Sequence, residues 1–175
     1  MCVYAFFTAP GAALLYLLLI LIGLVLSLTG DIVILIEGDT YFIMGLSSFV
    51  LAHLSYTAAL LVFGTFGSRD ILSGAILLLL SGVIFTTFRK KMGALTIPVA
   101  VYLIVISFMV WRAFGTFAGN TFRPTQAILL STGAFFFYIS DILIGVDKFL
   151  KPVNLLRFFN LTTYYIAQTL ITLSC

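Results

Sequence analysis

The residues of this sequence able to do chemistry are few, and they lie where such residues are rarely found. Asp31 sits in SLTGDIVIL, His53 in SSFVLAHLSY and Asp141 in FYISDILIG, each flanked by apolar runs. Gln168 in YYIAQTLI and Tyr102 in PVAVYLIV are their uncharged companions. Two carboxyls and an imidazole are groups that hold and release protons. Such a group inside an apolar segment is costly to keep, so each is a functional candidate by default. The structural alternative is a neutral side chain that hydrogen-bonds a neighbouring helix. Two aspartates in similar settings favour function over that alternative; for His53 both stand open. A single histidine argues against a three-histidine zinc site, and neither metal nor cofactor is expected. Cys2 and Cys175 lie at opposite ends without CxxC spacing, so no disulfide framework is indicated.

The elements that position these residues follow from composition. Hydrophobic residues make up 62% of the 175 positions and charged residues 9%. Soluble domains carry roughly 45–50% and about 25%. So short a chain cannot hide that much apolar surface in a core, so lipid must be its solvent. A bilayer crossing needs about 20 mostly apolar residues. Such blocks occur near 13–36, 42–66, 71–88, 95–114, 126–146 and 158–173. The fold class expected is therefore all-α: one polytopic helix bundle over residues 1–175 with about six spans. EGDT, FGSRD, FRKKMG, GTFAGNTFRP and VDKFLKPVNLLR supply the loops. The first block is read as a span and not as a cleaved signal. A net charge of +3, dispersed along the chain, gives no nucleic-acid surface.

Six spans put the first, third and fifth loops on one side with Arg89, Lys90, Lys91, Lys148, Lys151 and Arg157. The other side holds Arg69, Arg112 and Arg123, with Arg112 read as snorkelling from the end of the fourth span. The positive-inside rule makes the first side cytoplasmic. At about 1.5 Å per residue, Asp31 and Asp141 each lie roughly 9 Å beneath that side. Tyr164 and Tyr165 reach about 10–12 Å, and Tyr102, His53 and Gln168 lie deeper. One polar pocket opening to that side would collect them. Small residues share their helix faces: Gly23, Ser27 and Gly30 with Asp31; Gly45, Ser48, Ala52 and Tyr56 with His53; Gly133, Phe137, Ser140 and Gly145 with Asp141. Faces of this kind let helices approach closely, so the polar stripes should look into protein.

At these residues the sequence resembles the YhhN-like lysoplasmalogenase family of multi-pass membrane proteins. SLTGDIVIL, FIMGLSSFVLAHLSY, PVAVYLIVISFMVWRA, GAFFFYISDILIGVDKF and YYIAQTLI follow one another in the family's order, from about Leu14 to the C-terminus. Family members have about eight spans, and here the first two are absent or reduced to MCVYAFFTAPG. The resemblance implies hydrolysis of the vinyl ether of lysoplasmalogens to a fatty aldehyde and a glycerophospho-alcohol. The expected partners are a lysophospholipid substrate and membrane lipids, in a bacterial plasma membrane or, in a eukaryote, the endoplasmic reticulum. Protonating the β-carbon of a vinyl ether needs a carboxylic acid that burial keeps neutral, and a second carboxylate suits the oxocarbenium ion that results. Asp31 and Asp141 fit those roles, with His53 relaying a proton or orienting water. Tyr56, Tyr102, Ser140, Tyr164, Tyr165 and Gln168 are the expected substrate-binding residues. A bundle that binds or moves a lipid or small solute without cleaving it is the alternative.

Overall fold

The computed structural model describes residues 10–118, 121–150 and 152–175, so Cys2 and Lys151 lie outside the described residues. Six α-helices follow in order: α1 (Pro10–Ile34), α2 (Asp39–Phe63), α3 (Ser68–Met92), α4 (Thr96–Gly115), α5 (Pro124–Phe149) and α6 (Asn154–Leu173). No strand occurs among the described residues. The stretches Leu14–Ile34, Asp39–Phe63, Asp70–Ala118 and Pro124–Phe149 are long and apolar enough to cross a membrane. The third of these is 49 residues long and contains both α3 and α4. α6 is not among them, because Asn160, Thr162, Thr163, Gln168, Thr169 and Thr172 dilute its apolar character.

The distribution of side chains is that of a membrane protein. Leu14, Leu21, Val25, Leu28 and Ile32 on α1, and Ile71, Leu72, Leu78, Leu79 and Val83 on α3, face outward. Ser27, His53, Asp70, Arg112, Ser131 and Ser140 are buried. Hydroxyls on the outer face, at Thr29, Ser47, Thr87, Thr162 and Thr169, donate to the carbonyl four residues earlier in their own helix. That bond leaves no unpaired donor in hydrocarbon. The protein is an all-α integral membrane bundle.

Helix ends differ from the sequence boundaries where charge had suggested loops. α3 continues through Arg89, Lys90 and Lys91 to Met92, placing three cations beside the unpaired carbonyls of its last turn. The chain then reverses at Gly93, whose φ of 54° favours glycine. α6 begins at Asn154, four residues before the expected Phe158, and α1 stops at Ile34.

Consecutive helices form antiparallel pairs. Gly30 and Gly45 bring α1 and α2 close: a Cβ on either would lie 3.2 Å from the other's carbonyl oxygen. Ser55 and Ser48 donate across the same seam to the carbonyls of Leu19 and Leu26. Gly133 lets α5 rest on Ala167 and Ile171 of α6. α1 meets α6 through polar bonds at both ends, Tyr16 with Ser174 and Tyr164 with Asp31. Lys148 to Asp39 at 3.0 Å and Arg157 to Asp147 at 3.1 Å then tie the α1–α2 and α5–α6 turns together at one end of the bundle.

Candidate active site in the bundle interior

Two hydrogen-bonded groups occupy the interior. α2 presents His53, α4 presents Tyr102 and α5 presents Asp141. His53 is 0% exposed; its Nε2 lies 3.1 Å from the Tyr102 hydroxyl and 3.7 Å from Oδ2 of Asp141. Which of His53 and Tyr102 donates depends on the imidazole tautomer. Nδ1 of His53 and Oδ2 of Asp141 are buried without a hydrogen-bond partner among the described residues. A buried carboxyl oxygen left in that state is unusual in a folded protein. A cavity of about 40 Å³, bordered by Asp141, Tyr102, Leu103, Phe49 and Phe88, adjoins it. That is room enough for a water molecule.

The second group joins α1, α2 and α6. The Tyr164 hydroxyl donates to Oδ2 of Asp31 at 2.7 Å and accepts from Nε2 of Gln168 at 3.2 Å. Oε1 of the same amide accepts from the Tyr56 hydroxyl at 2.9 Å. Tyr56 is held by Gly23, where any Cβ would strike its ring. The result is a continuous chain, Tyr56 to Gln168 to Tyr164 to Asp31, with one end half exposed at the carboxylate.

Aromatic rings separate the groups. Phe137 lies 4.7 Å from the His53 ring and 5.3 Å from that of Tyr164, and Phe49 stands against both Phe137 and Tyr164. The two carboxyls are nonetheless near enough for their charges to interact. The sequence had suggested one pocket and one depth. The structure instead sorts the residues into two groups across a partition of rings. Asp31 lies in the last turn of α1, while Asp141 lies eight residues, about 12 Å, inside the end of α5.

Two expected residues stand apart. Ser140 donates to Oδ1 of Asn160, pinning α5 to α6. Tyr165 is 60% exposed, its ring tilted against Tyr164 and its hydroxyl turned from both groups. Sequence reasoning also missed a cluster near the opposite end of the bundle. Arg112 does not snorkel: it is 0% exposed, with Nη1 3.5 Å from Oδ2 of Asp70. Its Nη2 donates to the Thr65 carbonyl and its guanidinium covers the Phe66 ring at 3.8 Å. A cation able to pair and stack inside has no reason to reach for the headgroups. The available signal was symmetry, since residues 70 and 112 lie about equally far from the α3–α4 turn and so face each other across the hairpin.

Known proteins support the same residues. The chain is 36% identical over 160 residues to "Lysoplasmalogenase TMEM86A" of Bos taurus, covering 89% of this chain and 64% of that protein. It is 36% identical over 160 residues to the Homo sapiens protein of that name, with the same coverages. It is 32% identical over 156 residues to "Lysoplasmalogenase" of Mycobacterium tuberculosis, covering 86% of this chain and 57% of that one. The chain thus spans less than two thirds of the length of these curated relatives. No solved structure matches it. The model of the YhhN family matches residues 1–175, and with these relatives beside it the conclusion is direct: the chain belongs to the YhhN family.

Proposed function

We propose that this protein hydrolyses the vinyl ether of lysoplasmalogens within the membrane, its six helices each crossing the bilayer. The carrying observation is Asp141: a buried carboxyl whose Oδ2 makes no hydrogen bond, 3.7 Å from His53 and beside a cavity of water size. An enol ether reacts by taking a proton on its β-carbon, which leaves an oxocarbenium ion. Asp141 supplies that proton. Water then adds to the cationic carbon and loses a proton to the Asp141 carboxylate, with His53 and Tyr102 orienting it. The hemiacetal so formed collapses to a fatty aldehyde and the glycerophospho-alcohol, and the acid is restored. One water is consumed and no other reactant is needed.

Asp31 serves as the second carboxylate. Its negative charge, held by Tyr164, favours a cation forming on the other side of Phe137 and Phe49. The faces of those rings favour the same cation, in the manner of a cation–π contact. The relatives' names support the substrate class. The test is aldehyde release from lysoplasmalogen by the purified protein. Release that persists at full rate in Asp141→Asn would overturn the acid assignment. Binding of lysolipid with no aldehyde formed by wild type would favour the non-enzymatic bundle instead.

A further inference from the structure

A second, larger cavity lies outside the polar groups. It runs along the seam of α3 and α4, holds about 500 Å³, and begins at Phe85 and Ala100 to end at Gly74 and Trp111. Ala100 to Trp111 is eleven residues of helix, so the groove is about 16 Å long. Its mean cross-section is then about 30 Å², well under half the roughly 80 Å² that a helix of 10 Å diameter would fill. The groove suits one extended hydrocarbon chain and is too narrow for another helix.

Three features tie it to the site. Leu103 borders both this groove and the small cavity at Asp141, so the two are separated by a single side chain. The groove leads away from Asp141 and deeper into the bundle, toward the end that carries Trp111. A lipid whose headgroup lies at the Lys148–Asp39 end would have its vinyl ether at Asp141 and its tail still to place. Finally, the hydroxyls on the groove wall are already satisfied. Ser81 bonds Ser107 at 2.7 Å and Tyr138 at 2.8 Å, and both serines reach backbone carbonyls of their own helices. Hydrocarbon can cover them without stranding a donor.

We propose that the α3–α4 groove is the binding site for the single hydrocarbon chain of the lysolipid, with its methyl end against Trp111. The inference rests on the proposed function for the identity of the lipid. One groove for one chain also selects lysolipids over diacyl lipids.

Trp111 is the only tryptophan, so its fluorescence reports the far end of the groove directly. The probe is a saturated 1-O-alkyl lysophosphocholine brominated near its methyl end, added to the full chain in detergent micelles. Being saturated, it cannot be hydrolysed, so binding is read independently of aldehyde release. The expected result is saturable quenching, competed by unbrominated lysolipid and weaker when bromine sits near the headgroup. A Cβ at Gly82 meets nothing within 4 Å, so Gly82→Leu projects into open groove. It should raise the half-saturating concentration about tenfold for every one to two methylenes it excludes. Gly82→Ala should give a smaller rise in the same direction, which guards against a folding defect in the larger variant. Quenching that never saturates, that a brominated diacyl lipid matches, or that both Gly82 variants leave unchanged would overturn the groove assignment. So would a concentration-dependent dimer that shields Trp111. Saturable binding without aldehyde from the natural substrate would leave the groove standing and remove the hydrolase.

Discussion

Asp70 and Asp141 are both buried carboxylates in the same bundle, and their surroundings could hardly differ more. Oδ2 of Asp70 accepts the backbone N–H of Gly67 at 2.9 Å and faces a permanent cation, Arg112, at 3.5 Å. Every lone pair that matters there is occupied by something that cannot give up its charge. Asp141 faces only His53, whose charge depends on its own proton, and its Oδ2 is left without a hydrogen bond. The first arrangement fixes a charge in place. The second leaves a proton free to move. A buried aspartate is thus structural or chemical according to whether its partner titrates.

The largest effect expected from breaking this contrast is on turnover. Asp141→Asn keeps the shape of the side chain and removes the transferable proton, so aldehyde release should fall about 10²–10⁴-fold. The melting temperature should stay near wild type, because no permanent partner is left behind. Aldehyde assay and thermal denaturation on the same preparation check both halves. A variant that fails to fold, or one that works normally, contradicts the contrast.

Next comes Arg112→Met, whose effect should be on stability. Removing one partner of a buried pair strands the other, typically at a cost of about 3–5 kcal/mol. Arg112→Met combined with Asp70→Asn should recover most of that loss. Denaturation curves of the single and double variants measure the coupling, with turnover per folded molecule expected to be unchanged. A single variant as stable as wild type would show that the pair does not hold the α3–α4 hairpin.

Much of this was legible in the sequence, and the part that was not has a physical boundary. Helix class, the polar stripes on α1, α2 and α5, and the candidates Asp31, His53 and Asp141 all follow from residue type and 3.6-residue spacing. Contacts within a hairpin were legible too: Gly30 with Gly45, Ser81 with Ser107 and Ser140 with Asn160 each straddle their turn symmetrically. Arg112 with Asp70 obeys the same rule and was missed because a charge near a span end is ordinarily taken for an anchor. The links Asp31–Tyr164, Tyr56–Gln168 and His53–Asp141 join helices distant in sequence. Their pairing depends on how the hairpins pack, which spacing along one chain does not encode. The partition by Phe49 and Phe137 was invisible for the same reason, since in a sequence this rich in phenylalanine no single ring stands out.

The smallest effects separate two adjacent tyrosines, and they test whether the α6 face has been assigned to the correct side. Tyr164→Phe removes the donor to Asp31 and an acceptor for Gln168 together. A hydrogen bond to a charged group contributes about 1.5–3 kcal/mol, so turnover should drop by roughly one to two orders of magnitude if Asp31 acts as the second carboxylate. Tyr165→Phe deletes a hydroxyl from a ring that is 60% exposed and turned to lipid. Its effect should stay within about 0.5 kcal/mol in stability and about twofold in turnover. The two substitutions are chemically identical and one residue apart, so expression, detergent and helix propensity cancel between them. Aldehyde release from the pair, measured side by side, reads only which face looks inward. Equal losses would mean that both hydroxyls meet the substrate, whereas a loss confined to Tyr165 would reverse the orientation of α6 about the site.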